Sequence, residues 1–159
     1  MHTTHDTSLN KMAVSATLHC LAGCAIGEVL GLIIGTALGL DTHVTILLSI
    51  GLAFLFGYSL STLPLLKVGM TLGAALSVIL VADTLSIAVM ELTDNAVMAV
   101  IPGAMNAGLS NPIFWIAMPI SLAVAFFVAL PVNRYLLKRN KGHAVSMQHL
   151  SAHGHHHHH

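Results

Sequence analysis

The sequence predicts an all-α polytopic membrane protein with four transmembrane helices in a small bundle, and three observations carry that prediction. The 159 residues are 55% hydrophobic and only 8% charged, against about 25% charged in soluble domains. Apolar stretches of about 20 residues, the length that crosses a hydrocarbon core, recur four times between short polar segments. All six Lys and Arg residues fall where four successive crossings would gather them on one side of a bilayer. Six acids balance these six bases, so net charge points to no nucleic-acid partner. The partner the composition implies is the lipid bilayer.

Residues 1–13 are polar and hold little to bury, which predicts a flexible cytoplasmic N-terminus. A first helix is expected from about Val14 to Leu40. Within it Leu21-Ala22-Gly23-Cys24 matches a lipoprotein cleavage pattern, but the chain stays apolar well past the cysteine, so the helix reads as uncleaved. Asp41-Thr42-His43 makes a polar turn. The second helix covers about Val44 to Leu63, with Phe54, Phe56 and Tyr58 near its far end as interface anchors. Pro64 marks the next turn or the first turn of the third helix, where its missing N–H costs nothing.

A third helix running unbroken from Leu65 to Ile101 would be about 55 Å long at ~1.5 Å per residue, well beyond the ~30 Å core. It is therefore expected to be broken or extended. The break is placed near Thr93 to Asn95, with Asp94 capping a short second piece. The alternative is a break at Asp83-Thr84, the kind of discontinuity that builds ion sites. The segment GAMNAGLSNP leads to a fourth helix from about Ile113 to Leu137, anchored by Trp115 and Tyr135 and bent by Pro119 and Pro131. The transmembrane domain is thus set at 14–141, with a basic and polar tail at 142–154. The run His155 to His159 reads as a purification tag outside any metal argument. With four crossings Lys11, Lys67, Arg134, Lys138, Arg139 and Lys141 share one side, which places both termini in the cytoplasm and the protein in a prokaryotic plasma membrane.

The chemistry concentrates in HCLAGCAIGEVLGLIIGTALG, from His19 to Gly39. Gly23, Gly27, Gly31, Gly35 and Gly39 recur every four residues and lay one stripe on a helix. In lipid such a stripe lets backbones pack closely, against a neighbouring helix or a second copy of the chain, and a homo-oligomer is expected. Cys20, Cys24 and Glu28 share the adjacent stripe, with His19 at its head. The cysteines also fit a plain packing role. Glu28 does not, because a carboxyl at mid-membrane depth costs several kcal/mol unless protonated, paired or hydrated.

The expected counterpart is on the third helix. Glu28 lies about 21 Å from Val14 and Asp83 about 24 Å from Lys67, so the two carboxyls are expected to meet, sharing a proton or holding a cation. Asp83, Met90, Glu91, Asp94 and Met98 fall close to one face. His19, Cys20, Cys24 and Glu28 are the candidate metal ligands, and Asp83, Glu91 and Asp94 the candidate relay. Met90 and Met98 are further soft donors, though thioethers in an apolar chain also serve packing. Thiolate and thioether favour Cu(I), while imidazole and carboxylate admit zinc. Three functions are open on these residues: binding or moving a soft metal, proton- or cation-coupled transport, and a structural or sensing subunit. No phosphate loop, paired CxxC zinc pattern or serine nucleophile elbow is present, so no enzyme is expected. His19 and His43 fall on opposite sides of the membrane, too far apart to share a haem.

Taken together HCLAGCAIGEVLG, FLFGY, ADTLSIAVMELTDNAVM, IPGAMNAGL, FW and PVNRYL resemble a bacterial and archaeal family of small membrane proteins known as domain of unknown function 4396. The likeness covers about Leu18 to Ala144. It implies four membrane helices and, because members are often encoded beside copper and heavy-metal genes, it favours the metal reading. It brings no residue-level activity with it.

Overall fold

The computed structural model describes residues 2–67, 69 and 71–154. Four helices follow one another: α1 (His2–Leu38), α2 (Thr42–Lys67), α3 (Leu72–Val100) and α4 (Pro112–Gly154), with no strand among the described residues. Three of them contain stretches long and apolar enough to cross a membrane, Asp6–Leu38, Thr42–Pro64 and Pro112–Arg139. Only 22% to 33% of these stretches is buried inside the bundle, so most of their apolar surface faces outward, as lipid requires. α3 carries three carboxyls yet follows the same rule. Its outer face holds Val81, Leu85, Leu92 and Val100, all exposed, while Ser86, Ile87, Met90 and Asp94 face inward and are buried.

The boundaries depart from expectation in four places. α1 begins at His2 instead of near Val14, because Leu9, Ala13 and Thr17, four residues apart, are buried on one face. Asn133 of α4 donates to the Thr17 hydroxyl at 2.8 Å, and Thr17 donates to the Ala13 carbonyl at 2.7 Å. At the end of the same interface Arg134 lies 3.7 Å from Asp6. Pro64 lies inside α2, which keeps the chain helical to Lys67. α3 therefore starts only at Leu72, with the Thr71 hydroxyl accepting from the Ala74 N–H at 3.4 Å. It then runs unbroken to Val100, so neither the break near Thr93–Asn95 nor that at Asp83-Thr84 exists. Of the residues assigned to it, 65–67 belong to α2. At about 44 Å α3 is an extended helix, and Asp94 lines its inner face instead of capping a second piece. Likewise α4 runs through both prolines and beyond Leu137. The pentahistidine run lies outside the described residues.

α1 and α2 pack antiparallel along the glycine stripe. A Cβ on Gly23 would lie 2.6 Å from the backbone N of Gly57, one on Gly27 2.5 Å from Cα of Ala53, and one on Gly31 2.6 Å from Cα of Ser49. Gly35 meets the Thr45 side chain in the same way. Gly57, Ala53, Ser49 and Thr45 recur every four residues on α2, so small residues face small residues over the whole interface. The stripe is thus spent within one chain, and a second copy would have to use another face. Gly39 takes no part. It sits at φ +65° with open space around it and ends α1, in the left-handed conformation that favours glycine.

The turns are capped by side chains that flank them. The Asp41 carboxylate accepts from the N–H groups of His43 and Val44 at 2.9 and 3.1 Å, which starts α2. Asn111 accepts from the Ile113 N–H at 3.0 Å and starts α4, with Pro112 at its first position. Between α3 and α4 the connection folds back onto the bundle: Ala104 and Ala107 are buried with Met98, Phe114, Ala117 and Met118, and the Trp115 indole donates to the Leu109 carbonyl at 2.7 Å. Alternation of the four helices puts Lys11, Lys67, Arg134, Lys138 and Arg139 at one end, hereafter the basic end. The α1–α2 turn and the α3–α4 connection form the distal end.

Candidate functional site

α1 and α3 run parallel, and their facing stripes place the carboxyls and thiols of the bundle interior in one seam. α1 contributes Cys20, Cys24 and Glu28 at four-residue spacing. α3 contributes Asp83, Ser86, Glu91 and Asp94, positions that return to one face of a helix. The eight-position spacing from Cys20 to Glu28 matches that from Asp83 to Glu91, so the helices meet level by level.

The first level lies toward the basic end. Asp83 sits beside His19, Ser61 of α2 and Cys20. His19 Nδ1 is 2.6 Å from the Ser15 carbonyl; a carbonyl only accepts, so Nδ1 carries the hydrogen and Nε2 is left as the free acceptor. Nearby the Tyr58 hydroxyl bonds to Thr84, joining α2 to α3. At the second level the Cys24 thiol lies against the Glu91 carboxyl. At the third, Glu28 faces both Glu91 and Asp94, and Ser121 of α4 lies beside Asp94 while donating to the Met118 carbonyl at 2.9 Å.

Glu28 and Asp83 therefore do not meet. Their expected pairing counted depth on α3 from Lys67, but that helix starts at Leu72. Measured from there, Asp83 lies only about 17 Å in. It comes level with Cys20, and Glu28 comes level with Glu91 and Asp94 instead.

Those three carboxyls form the inner end of a cavity of ≈ 210 Å³. Its walls carry Ser49, Asn95, Met98 and Met105, and its lining reaches the distal end at Thr42 and Asn106, whose side chains are bonded to each other at 3.3 Å. A water needs about 10–15 Å³ of such space, so the cavity is large enough to hold water against the carboxyls. Asp94 is the most enclosed of them, 6% exposed, and its Oδ1 is buried without a hydrogen-bond partner. Among the described residues no Lys or Arg faces the trio, since all of them lie at the basic end. Three carboxyls in a low-dielectric interior with no fixed cation must be neutralised by protons or by a cation taken from the cavity.

The sequence-predicted metal ligands are distributed differently from the expectation. Cys20 and Cys24 are buried at 1% and 3% exposure, in a packed cluster with Ile87, Met90, Ala53, Ala125 and Ala129. Among the described residues no three His, Cys, Asp or Glu side chains are gathered as a metal ion would need. His19, Cys20, Cys24 and Glu28 are spread along about 14 Å of α1, the first two beside Asp83 and the last two beside Glu91. Met90 belongs to the packed cluster and Met98 to the cavity wall. His43 lies in the first turn of α2, outside the seam.

Sequence reasoning missed Ser61, Ser86 and Ser121, and it missed the connection that closes the cavity at Ala104 to Gly108. Hydroxyls inside apolar helices were the available signal for the serines. Nothing local marks the connection, because its role comes from folding back onto the bundle.

The fold and seam define a class: a small all-helical membrane protein that draws its carboxyls inward along two parallel helices. A family model matches residues 9–142, and the chain belongs to that family, described as a domain of unknown function, DUF4396. No curated protein and no solved structure matches the chain.

Proposed function

We propose that the protein moves protons or a small cation across a prokaryotic plasma membrane, with α3 as a fourth span and the Glu28–Glu91–Asp94 trio as the loading site. The observation that supports this most is the convergence of three carboxyls from two helices at the inner end of one cavity with room for water, with no Lys or Arg facing them among the described residues. Carboxyls held in an apolar span mark ion or proton pathways. The positive-inside rule puts the basic end and both termini in the cytoplasm, so the cavity opens to the outside. Four short helices make a thin wall for such a path, and a homo-oligomer built on the outward apolar faces fits it, since the glycine stripe is already used.

Flux through liposomes tests the reading. Tag-free protein under an imposed gradient is expected to carry protons or a monovalent cation well above protein-free vesicles. Glu28→Gln and Asp94→Asn should each cut the rate by about tenfold or more, and Asp6→Asn, an exposed carboxyl outside the seam, should not. Wild-type flux equal to that of protein-free vesicles overturns it.

A second reading has its own observation. Met98 and Met105 line the same cavity as the carboxyls, a mixed soft and hard donor set that suits Cu(I) as cargo. Uptake of Cu(I) abolished by the double change Met98→Leu with Met105→Leu would select it over the first.

A further inference from the structure

The seam continues past the cavity, and the way it continues bears on what crosses. The cavity ends at Glu28 and Glu91. Beyond it, toward the basic end, Cys20, Cys24, Ile87 and Met90 are packed between α1 and α3 with 3% exposure or less. None of the four side chains of this plug lines the cavity. A hydrated metal or alkali cation would have to shed its shell there and would find no ring of oxygens to replace it.

Protic side chains nevertheless neighbour one another along the plug. Glu91 touches the Cys24 thiol, Cys24 neighbours Cys20, and Cys20 lies beside Ser61, Ser86 and Asp83. Asp83 neighbours His19. Carboxyl, thiol, hydroxyl and imidazole each both give and accept a hydrogen. Two of these groups are left open: the Ser86 hydroxyl, 0% exposed, and Asp83 Oδ2 are buried without a partner. Both belong to the level where the plug ends, so a buried hydroxyl and an open oxygen of the last carboxyl of the seam lie at the same level.

We infer that Asp83 and His19 form a second station on the basic side of the plug, and that the species passed between the two stations is a proton. This rests on the transport reading above and narrows it. A proton arriving from the cavity binds a carboxylate oxygen of the trio. A proton is handed from Glu91 through the thiols and Ser86 to Asp83, each group releasing one hydrogen as it takes another. His19 Nε2 takes it from Asp83 and releases it to water, while Nδ1 stays bonded to Ser15. Charge is conserved at every step and no heavy-atom bond changes. Among the described residues the groups acting on Asp83 are His19 and Cys20 from α1 and Ser61 from α2, and Tyr58 of α2 bonds to the adjacent Thr84.

The test uses tag-free full-length protein in liposomes with an entrapped pH dye, run beside sodium and potassium tracer uptake and beside Cu(I) uptake. Wild type is expected to carry protons and none of the three cations. Asp83→Asn and His19→Ala should each lower proton flux by about tenfold or more, and imidazole added on the basic side should restore the His19→Ala rate while leaving Asp83→Asn slow. A folding loss in His19→Ala would not be rescued by imidazole, and Asp83→Glu, which keeps the carboxyl, should retain most of the flux. Carboxyl-dependent sodium, potassium or Cu(I) uptake without proton flux would overturn the inference and leave a transport reading standing. Proton flux lost in Glu28→Gln but unchanged in both Asp83→Asn and His19→Ala would do the same. Absence of any flux would overturn both.

Discussion

Asp94 shows the tension between stability and use at the scale of one side chain. It is 6% exposed and its Oδ1 has no partner, and a buried polar group left unsatisfied costs about 1–3 kcal/mol. Selection for stability alone would remove it. Asp94→Leu is therefore expected to stabilise the fold by up to about 1–3 kcal/mol, read as a higher unfolding temperature in detergent, while abolishing flux through the cavity. Equal or lower stability with intact flux would remove Asp94 from the loading site. The importance of Glu28 was legible in the sequence, because a carboxyl in an apolar helix needs a reason. Its partner was not legible, since identity depended on where α3 begins, and Pro64 inside α2 hides that start. Shifting a parallel helix along its axis exchanges one carboxyl for another eight residues away.

At the scale of an element, the α1–α2 interface was the most readable part of the chain. Glycines every four residues announce close approach, and the matching series Thr45, Ser49, Ala53 and Gly57 supplies the other half of an antiparallel pair. What the spacing alone left open was whether the neighbour is the same chain or another copy. The two classes of glycine give a paired test. A methyl on Gly27 would press on the Ala53 backbone, within 2.5 Å of its Cα, and backbone cannot move aside as a flexible side chain can. Gly27→Ala is expected to destabilise by about 1–3 kcal/mol through overpacking. Gly51, where an added methyl would meet nothing within 4 Å, should accept alanine with a change within about 1 kcal/mol, and in the favourable direction. Unfolding in detergent followed by circular dichroism separates the two. Indifference at Gly27 would mean that α1 and α2 are farther apart than this packing requires.

At the scale of the whole molecule, the direction in which the cavity opens follows from charge placement and helix parity together. Four helices return the chain to its starting side, so the start of α1, the α2–α3 turn and the last part of α4 share one end. Lys11, Lys67, Arg134, Lys138 and Arg139 are all there, and among the described residues the distal end has no Lys or Arg. The positive-inside rule leaves such clusters in the cytoplasm, so in the proposed transporter the distal end, with Thr42 and Asn106, lies outside. The consequence is a labelling pattern. Ser110, exposed in the α3–α4 connection, lies at the distal end, while Lys11 on α1 and Lys138 on α4, both exposed, lie at the basic end. The native thiols Cys20 and Cys24, buried at 1% and 3%, give little background. In intact cells a membrane-impermeant maleimide is expected to label Ser110→Cys and to leave Lys11→Cys and Lys138→Cys unlabelled until the membrane is opened. Labelling of both lysine variants with Ser110→Cys protected would turn the cavity toward the cytoplasm and make the trio the intracellular station. Labelling of Lys138→Cys alone would mean that α3 does not cross, since three spans from a cytoplasmic start leave the α3–α4 connection inside and the end of α4 outside. Because α3 is the helix whose carboxyls keep it from reading as an ordinary span, the three-site pattern decides whether its apolar outer face, Val81, Leu85, Leu92 and Val100, is enough to hold it in lipid while its polar face lines the path.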